Sequence, residues 1–420
     1  PHPGSAVKLL VPTLLLAATA VWADTLVVGD SIQSAVAAAR PGDTLVLSGP
    51  RVFYERVVLD KPLRLIGTNS PVIDAQGEGA ALTITQANTE VRDITLRHSG
   101  RDLTRLDSGI MITAPRVTVR GCRIENDAFG IYLRGARQCT VVDNIIVGDT
   151  NLPTAQRGNG IQLWNTASNL LTGNRIVAKR DGIYLSYADA CLLADNRVTD
   201  SRFGIHYMYS HRNQLLTNNL TANVVGATLM FARDCVIGGN HIHANRRHGL
   251  LLKQVERSRI AHNVMTGHNR GLFVQQAAQN LFVENRIEHN DIGLYLSGGS
   301  EQNVFTGNAF VANADQVWQP TDEFDLGRRA ANTFYAEGRG NFWSDYLGAD
   351  RDHNGIGDTP YHETDVFGYL LDRNPNARLF ALSPAVALLR KGEELMPLLD
   401  LGGVSDLFPL MHPPTGARRP

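Results

Sequence analysis

The feature that most constrains this chain is a short run, Gly-Ile/Leu-x-Leu and close variants, that returns at nearly constant spacing. Its glycines are Gly109, Gly130, Gly160, Gly182, Gly204, Gly226, Gly249, Gly271 and Gly293, and from Gly160 the steps are 22, 22, 22, 23, 22 and 22 residues. A second marker keeps the same beat: Asn144, Asn174, Asn196, Asn219, Asn240, Asn263, Asn285 and Asn308. Two markers on one period define a solenoid, in which each repeat buries its apolar face only by stacking on its neighbours.

The period fixes the kind of solenoid. Ile183 and Leu185, Ile205 and Tyr207, and Leu250 and Leu252 occupy the first and third positions after Gly, with Tyr184, His206 and Leu251 between them. Alternation of period two is a strand with one face inward. A second apolar position follows each Asn (Ile176, Val198, Ile242), and Leu192-Leu193 and Val236-Ile237 supply a third strand. Helical periodicity is absent. The reading is all-β: a single-stranded right-handed parallel β-helix of about 22 residues per coil, with coils about 4.8 Å apart. The asparagines then form an amide ladder at a corner, a fold signal rather than a site. The longer step from Gly130 to Gly160 marks residues 148–157 as a loop ejected from one coil.

Five segments follow. Residues 1–23 resemble a cleavable signal peptide, with Lys8 before an apolar stretch and Val21-Trp22-Ala23 as the cleavage site. Residues 24–80 hold the first coils and a helical cap from Asp30 to Arg40, residues 81–318 the β-helix, 319–378 a C-terminal module, and 379–420 an apolar helical tail. Export raises the question of disulfides. Cys139, Cys191 and Cys235 each precede a ladder Asn by five residues, which places them two coils apart, beyond the reach of about 7 Å that a disulfide needs. They and Cys122 are expected to be buried free thiols. With 40 basic and 41 acidic side chains and no basic cluster evident in the sequence, nothing argues for nucleic acid.

Chemistry is sought on the outward positions. His206 and Met208 share a strand face, and Met208 and Met230 occupy one slot in successive coils. Thioether with imidazole is a soft donor set suited to Cu(I). The competing reading is an apolar contact patch, since Tyr184, Tyr187, Tyr209 and Phe231 lie close by. His241 and His243, flanking inward Ile242, form a weaker copper candidate. Asp350-x-Asp352-x-Asn354-Gly355-Ile356-x-Asp358 resembles the start of an EF-hand calcium loop, with a carbonyl from Ile356, but Tyr361 stands where the bidentate Glu belongs. The alternative is a turn held by Asx hydrogen bonds. In the tail, Leu388, Leu389, Leu395, Met396, Leu398, Leu399 and Phe408 read as a docking element for a membrane partner or membrane surface, with packing on the solenoid's open end as the competing reading. Few carboxylates cluster: Asp143, Asp195 and Glu284 are scattered, and Asp181 and Asp291 have no evident partner.

With these residues placed, the chain resembles the NosD family. The exported coils match, as do Asn341-Phe-Trp-Ser-Asp-Tyr346, the run from Gly348 to Tyr361, and the apolar tail. The resemblance implies a non-catalytic periplasmic protein that helps assemble the copper centres of nitrous-oxide reductase. It would receive Cu+, stably or in transit, from a membrane-anchored copper chaperone. It would act with the membrane subunit and ATPase of an ABC transporter, meeting the membrane only through that partner. The competing function is a β-helix polysaccharide lyase, hydrolase or epimerase, for which fold alone is weak support.

Overall fold

The computed structural model describes residues 23–319, 332–363, 383–384, 388 and 404–414. These form a parallel β-helix whose three long sheets hold 13, 12 and 13 strands. Each coil runs through the sheets in order. One coil is Asp181–Asp189 in sheet C, Leu192–Ala194 in sheet A and Arg197–Thr199 in sheet B, and the next returns to sheet C at Phe203–Met208. Neighbouring coils pair in parallel register, for instance Leu193 with Leu215 and Val198 with Leu220.

The core is a stack of apolar columns. Leu193, Val198, Ile205 and Tyr207 are wholly buried, as are their counterparts above and below. Burying one such aliphatic side chain stabilises the fold by about 1.5–3 kcal/mol, so stacking alone commits each coil to its neighbours. The repeated glycine has a steric cause. A Cβ on Gly182 would meet the carbonyl oxygen of Gly204 at 2.5 Å, and a Cβ on Gly204 would meet that of Gly226 at the same distance.

Each sheet-to-sheet corner is lined by a ladder. Between sheets A and B the amides run Asn144, Asn174, Asn196, Asn218, Asn240, Asn263, Asn285 and Asn308, each after the first accepting from the preceding rung's backbone N–H and side-chain amide. The rung is Asn218, not Asn219, which lies on the adjoining strand and is half-buried. The residue before each rung takes positive φ, which places Asp143, Asp195 and Glu284 at corners with φ of 56°, 54° and 51°. A second ladder, between sheets C and A, contains Cys139, Asn169, Cys191, Asn213, Cys235, Ser258, Asn280 and Asn303. All four cysteines are buried and free.

The third ladder, between sheets B and C, is irregular. It runs Ser201, Asn223, Asn245, His268, Asn290 and Asn313. At its start the ejected loop interrupts it, and Lys179 bridges the gap. Its wholly buried side chain reaches back to the carbonyls of Asp127 and Ala128 at 2.9 and 3.3 Å. The loop closes over it, tied to the 101–107 segment by an Arg101–Asp149 ion pair of 3.0 Å. A small cavity remains, about 20 Å³, with Asp127, Lys179, Arg101 and Arg157 among its walls.

At the N-terminal end, helix Ile32–Ala38 is capped by Ser31, whose hydroxyl accepts from the Ser34 N–H. At the other end the ladders continue beyond Asn313, to Asn332 and Asn341. Residues 404–414 then return to close this end: Ser405–Asp406 pairs antiparallel with Tyr361–His362. Buried Asp406 accepts from the Asn341 N–H at 2.6 Å and the Trp343 indole at 2.9 Å. This corrects part of the tail expectation. Phe408 is half-buried against Tyr335, so it belongs to the cap and is not a free docking residue, and this stretch is extended rather than helical. Leu388 is exposed at 74%. Leu389, Leu395, Met396, Leu398 and Leu399 lie outside the described residues, as does the expected signal segment up to residue 22. No helix among the described residues is long and apolar enough to cross a membrane.

Candidate functional site

The outer face of sheet C carries the candidate site, because the strand alternation that sends Ile205 and Tyr207 inward sends His206 and Met208 outward. Met208 pairs in register with Met230 on the next coil, and both are half-buried. Beside them Tyr187, Tyr209 and Phe231 stack along the helix axis at 5.3 and 4.6 Å, nearly parallel. These three occupy positive φ (51°, 49° and 54°), where a bulky side chain is strained. The face is apolar and exposed, with Tyr187 at 57% and Tyr209 at 39%.

His206 is not open to solvent as its outward slot suggests. It is 8% exposed, enclosed by the rings of Tyr184 and Phe203 at 4.9 and 4.6 Å. Its Nδ1 lies 3.1 Å from Oδ2 of Asp181, one coil back. Arg202 clamps the same carboxylate through Nε and Nη2 at 2.9 and 2.8 Å. Burial works against ionisation of Asp181, but the hydrogen bonds from His206 and Arg202 outweigh it and hold the carboxyl below its ordinary value. The sequence reading left Asp181 without a partner; 21 and 25 residues separate it from these two, and only the coil register brings them together. With Nδ1 donating to Asp181, Nε2 keeps its lone pair, and Nε2 has no partner inside the protein. A carboxylate behind an imidazole fixes the tautomer in this way at metal-binding histidines.

The other candidates do not join this set. His241 and His243 are half-buried on the outer face of sheet B, and Nε2 of His243 lies 2.5 Å from the Thr221 hydroxyl. Nearby His268 is a buried ladder rung and His262 faces Glu284 at 3.3 Å. In the 350–358 loop the acidic oxygens are taken by the chain itself. Asp350 accepts from the Asn354 and Gly355 N–H groups, Asp352 from Asn354, and Asp358 from the Arg351 N–H. Asn354 accepts from Ile356 N–H. The loop is a set of Asx turns, and this geometry gives calcium no support. Among the described residues no group of three or more His, Cys, Asp or Glu side chains is placed to hold a metal.

The sequence reading also missed a basic cluster, because its members lie a coil apart. Arg180, Arg202, Arg246, Arg247 and Arg270 line the corner between sheets B and C.

The fold and this face define a class: a right-handed parallel β-helix with an apolar, methionine-bearing outer face. Residues 145–348 match the family model described as periplasmic copper-binding protein (NosD), and residues 73–176 match a right-handed β-helix region. A protein of Pseudomonas aeruginosa named "Probable ABC transporter binding protein NosD" is 40% identical over 379 residues, covering 86% of this chain and 87% of its own. One of the same name from Stutzerimonas stutzeri is 36% identical over 380 residues, covering 86% of each. The chain belongs to the NosD family. Among solved structures, the catalytic domain of a GH87 α-1,3-glucanase in complex with nigerose superposes with a TM-score of 0.56 at 15% identity, over 76% of this chain and 69% of that one. That likeness is one of fold.

Proposed function

We propose that this chain is a periplasmic accessory protein for the assembly of copper centres in nitrous-oxide reductase. It receives Cu+ from a copper chaperone and works with the membrane subunit and ATPase of an ABC transporter. Copper is cargo here rather than a resident cofactor. His206, Met208 and Met230 are the residues proposed to hold it, with Asp181 orienting the imidazole. The observation that carries this reading is the register pairing of two half-buried thioethers two strand residues from a histidine whose Nδ1 is already engaged. Such a set favours the monovalent ion over harder metals. Membership in a family described as copper-binding supports the cargo, and the relatives' printed names support the transporter.

The enzyme reading gains nothing from this face. A sugar ring needs a free aromatic face to stack on, and here Tyr209 has both faces covered while Tyr187 and Phe231 each give one face to it. The Asp181 carboxylate is committed to Arg202 and His206. The test is genetic and chemical together. In a denitrifying host lacking this gene, the wild-type chain should restore copper-replete reductase. The Met208→Ala, Met230→Ala variant should export normally yet yield reductase depleted in copper. Full copper loading by the variant contradicts the assignment.

A further inference from the structure

We infer that the corner between sheets B and C is a docking strip for an extended acidic segment of a partner protein. Six arginines form it: Arg180, Arg246, Arg247 and Arg270 along the corner, with Arg175 and Arg197 on the adjoining outer face of sheet B. None of the six has an acidic group within 4 Å among the described residues, although arginines elsewhere on the molecule are mostly paired. Arg175 and Arg197 are also register partners on adjacent strands, both exposed. Like charges placed opposite one another destabilise a sheet, so the arrangement works against the fold in isolation. In a chain with 40 basic and 41 acidic side chains, this is a local excess rather than a general one. The strip ends where Asp291 and Asp315 take over the same corner.

A second observation points the same way. Ten buried side-chain polar atoms among the described residues lack a hydrogen-bond partner, and five lie along this strip or directly beside it. They are Arg180 Nε, His206 Nε2, Thr228 Oγ1, His248 Nδ1 and Arg270 Nε. An unsatisfied buried polar group costs about 1–3 kcal/mol, so this corner is polar beyond what the fold itself pairs. His248 stays neutral here: burial, then Arg270 and Arg247, push its imidazole down to about 4. With the imidazole neutral, the donors of the strip are its guanidinium N–H groups, which suit carboxylates.

The dimensions suit a peptide. From Arg180 to Arg270 the corner climbs four coils, about 19 Å at about 4.8 Å each. Six extended residues span that length at about 3.3 Å apiece. A polyuronate would also bring carboxylates, but the aromatic rings beside the strip have their faces occupied. Arg270 itself covers Tyr295 at 4.1 Å, and Arg202 covers Phe203 at 4.7 Å. The strand that leaves this corner at Phe203 carries Met208 about 20 Å further on, so a protein partner that covers both would bring acidic and apolar side chains together. This inference goes beyond the copper reading and does not need metal at His206.

The test uses the full chain and a fluorescein-labelled hexaglutamate peptide, followed by anisotropy at low ionic strength. The wild type should bind it, with affinity falling as salt is added. Arg246→Glu with Arg247→Glu, both exposed, should weaken binding about tenfold or more. Arg116→Glu with Arg259→Glu, a charge-matched pair on the sheet A side, should change it by less than about twofold. Equal losses in the two double variants, or no binding by the wild type, would overturn the proposal. So would hexagalacturonate, or phosphatidylglycerol–phosphatidylcholine vesicles, binding the wild type as tightly as the peptide. A failure here leaves the copper titration free to succeed, and the reverse holds too.

Discussion

At the scale of single residues, register converts composition into chemistry. Burial pushes the thiols of Cys191 and Cys235 up to about 11, and that of Cys122 to about 12. Only the thiolate reacts readily, so these cysteines should resist oxidation in an oxidising compartment. Iodoacetamide should label none of the four in the native protein and all four in urea; mass spectrometry reads the difference. Tyr209 gives a sharper case. Its positive φ costs about 1–2 kcal/mol for a non-glycine side chain, and its two stacked neighbours return about 0.5–1.5 kcal/mol each. Tyr209→Asn should therefore shift unfolding free energy by less than about 1 kcal/mol, measured in urea. Spacing alone located the cysteine slots, because a two-coil separation is a distance. It did not reveal the Asp181–His206–Arg202 cluster, since three residues on two coils meet only once corners and side-chain directions are known.

At the scale of elements, the ejected loop and its buried lysine are the departure from regularity. Burial drives the Asp127 carboxyl up and the Lys179 ammonium down, with their mutual attraction opposing both shifts. Lys179→Met leaves Asp127 buried without its counter-charge and should cost about 3 kcal/mol. Adding Asp127→Asn should recover most of that loss, since the amide oxygen can still accept from the Ser99 N–H. The pH dependence has a definite sign. A carboxyl raised in the folded state contributes stability that is complete below its unfolded value of 3.8 and is lost as pH rises toward neutrality. Asp127→Asn should flatten that slope in urea melts taken across the range. The repeat made the loop visible as a surplus of residues, but no periodic signal could announce that a lysine two coils away fills the missing rung. The Asn218 and Asn219 ambiguity has a similar origin: adjacent asparagines look alike until one of them turns inward.

At the scale of the whole molecule, the solenoid is a platform closed at both ends, with the proposed copper site on one face and the proposed docking strip at one corner. Nearly all of the architecture was legible, because a β-helix repeats one coil and the coil is written in alternating residues around Gly and Asn. The C-terminal closure was legible only as the competing reading of the tail, and its contacts were not: Asp406 caps Asn341 and Trp343 across more than 60 residues, and such a contact leaves no periodic trace. Truncation before Val404 should expose the last coil's edge, lower the melting temperature and promote self-association, which light scattering after size exclusion detects. The proposed role as a copper carrier rests on the paired thioethers beside the Asp181-oriented histidine, and an anaerobic Cu(I) competition titration with a chromophoric chelator addresses it directly. The wild type should withdraw one Cu(I) from the chelator, and the Met208→Ala, Met230→Ala variant should bind at least about a hundredfold more weakly, the loss of two soft ligands; equal affinity in the two proteins would contradict the account.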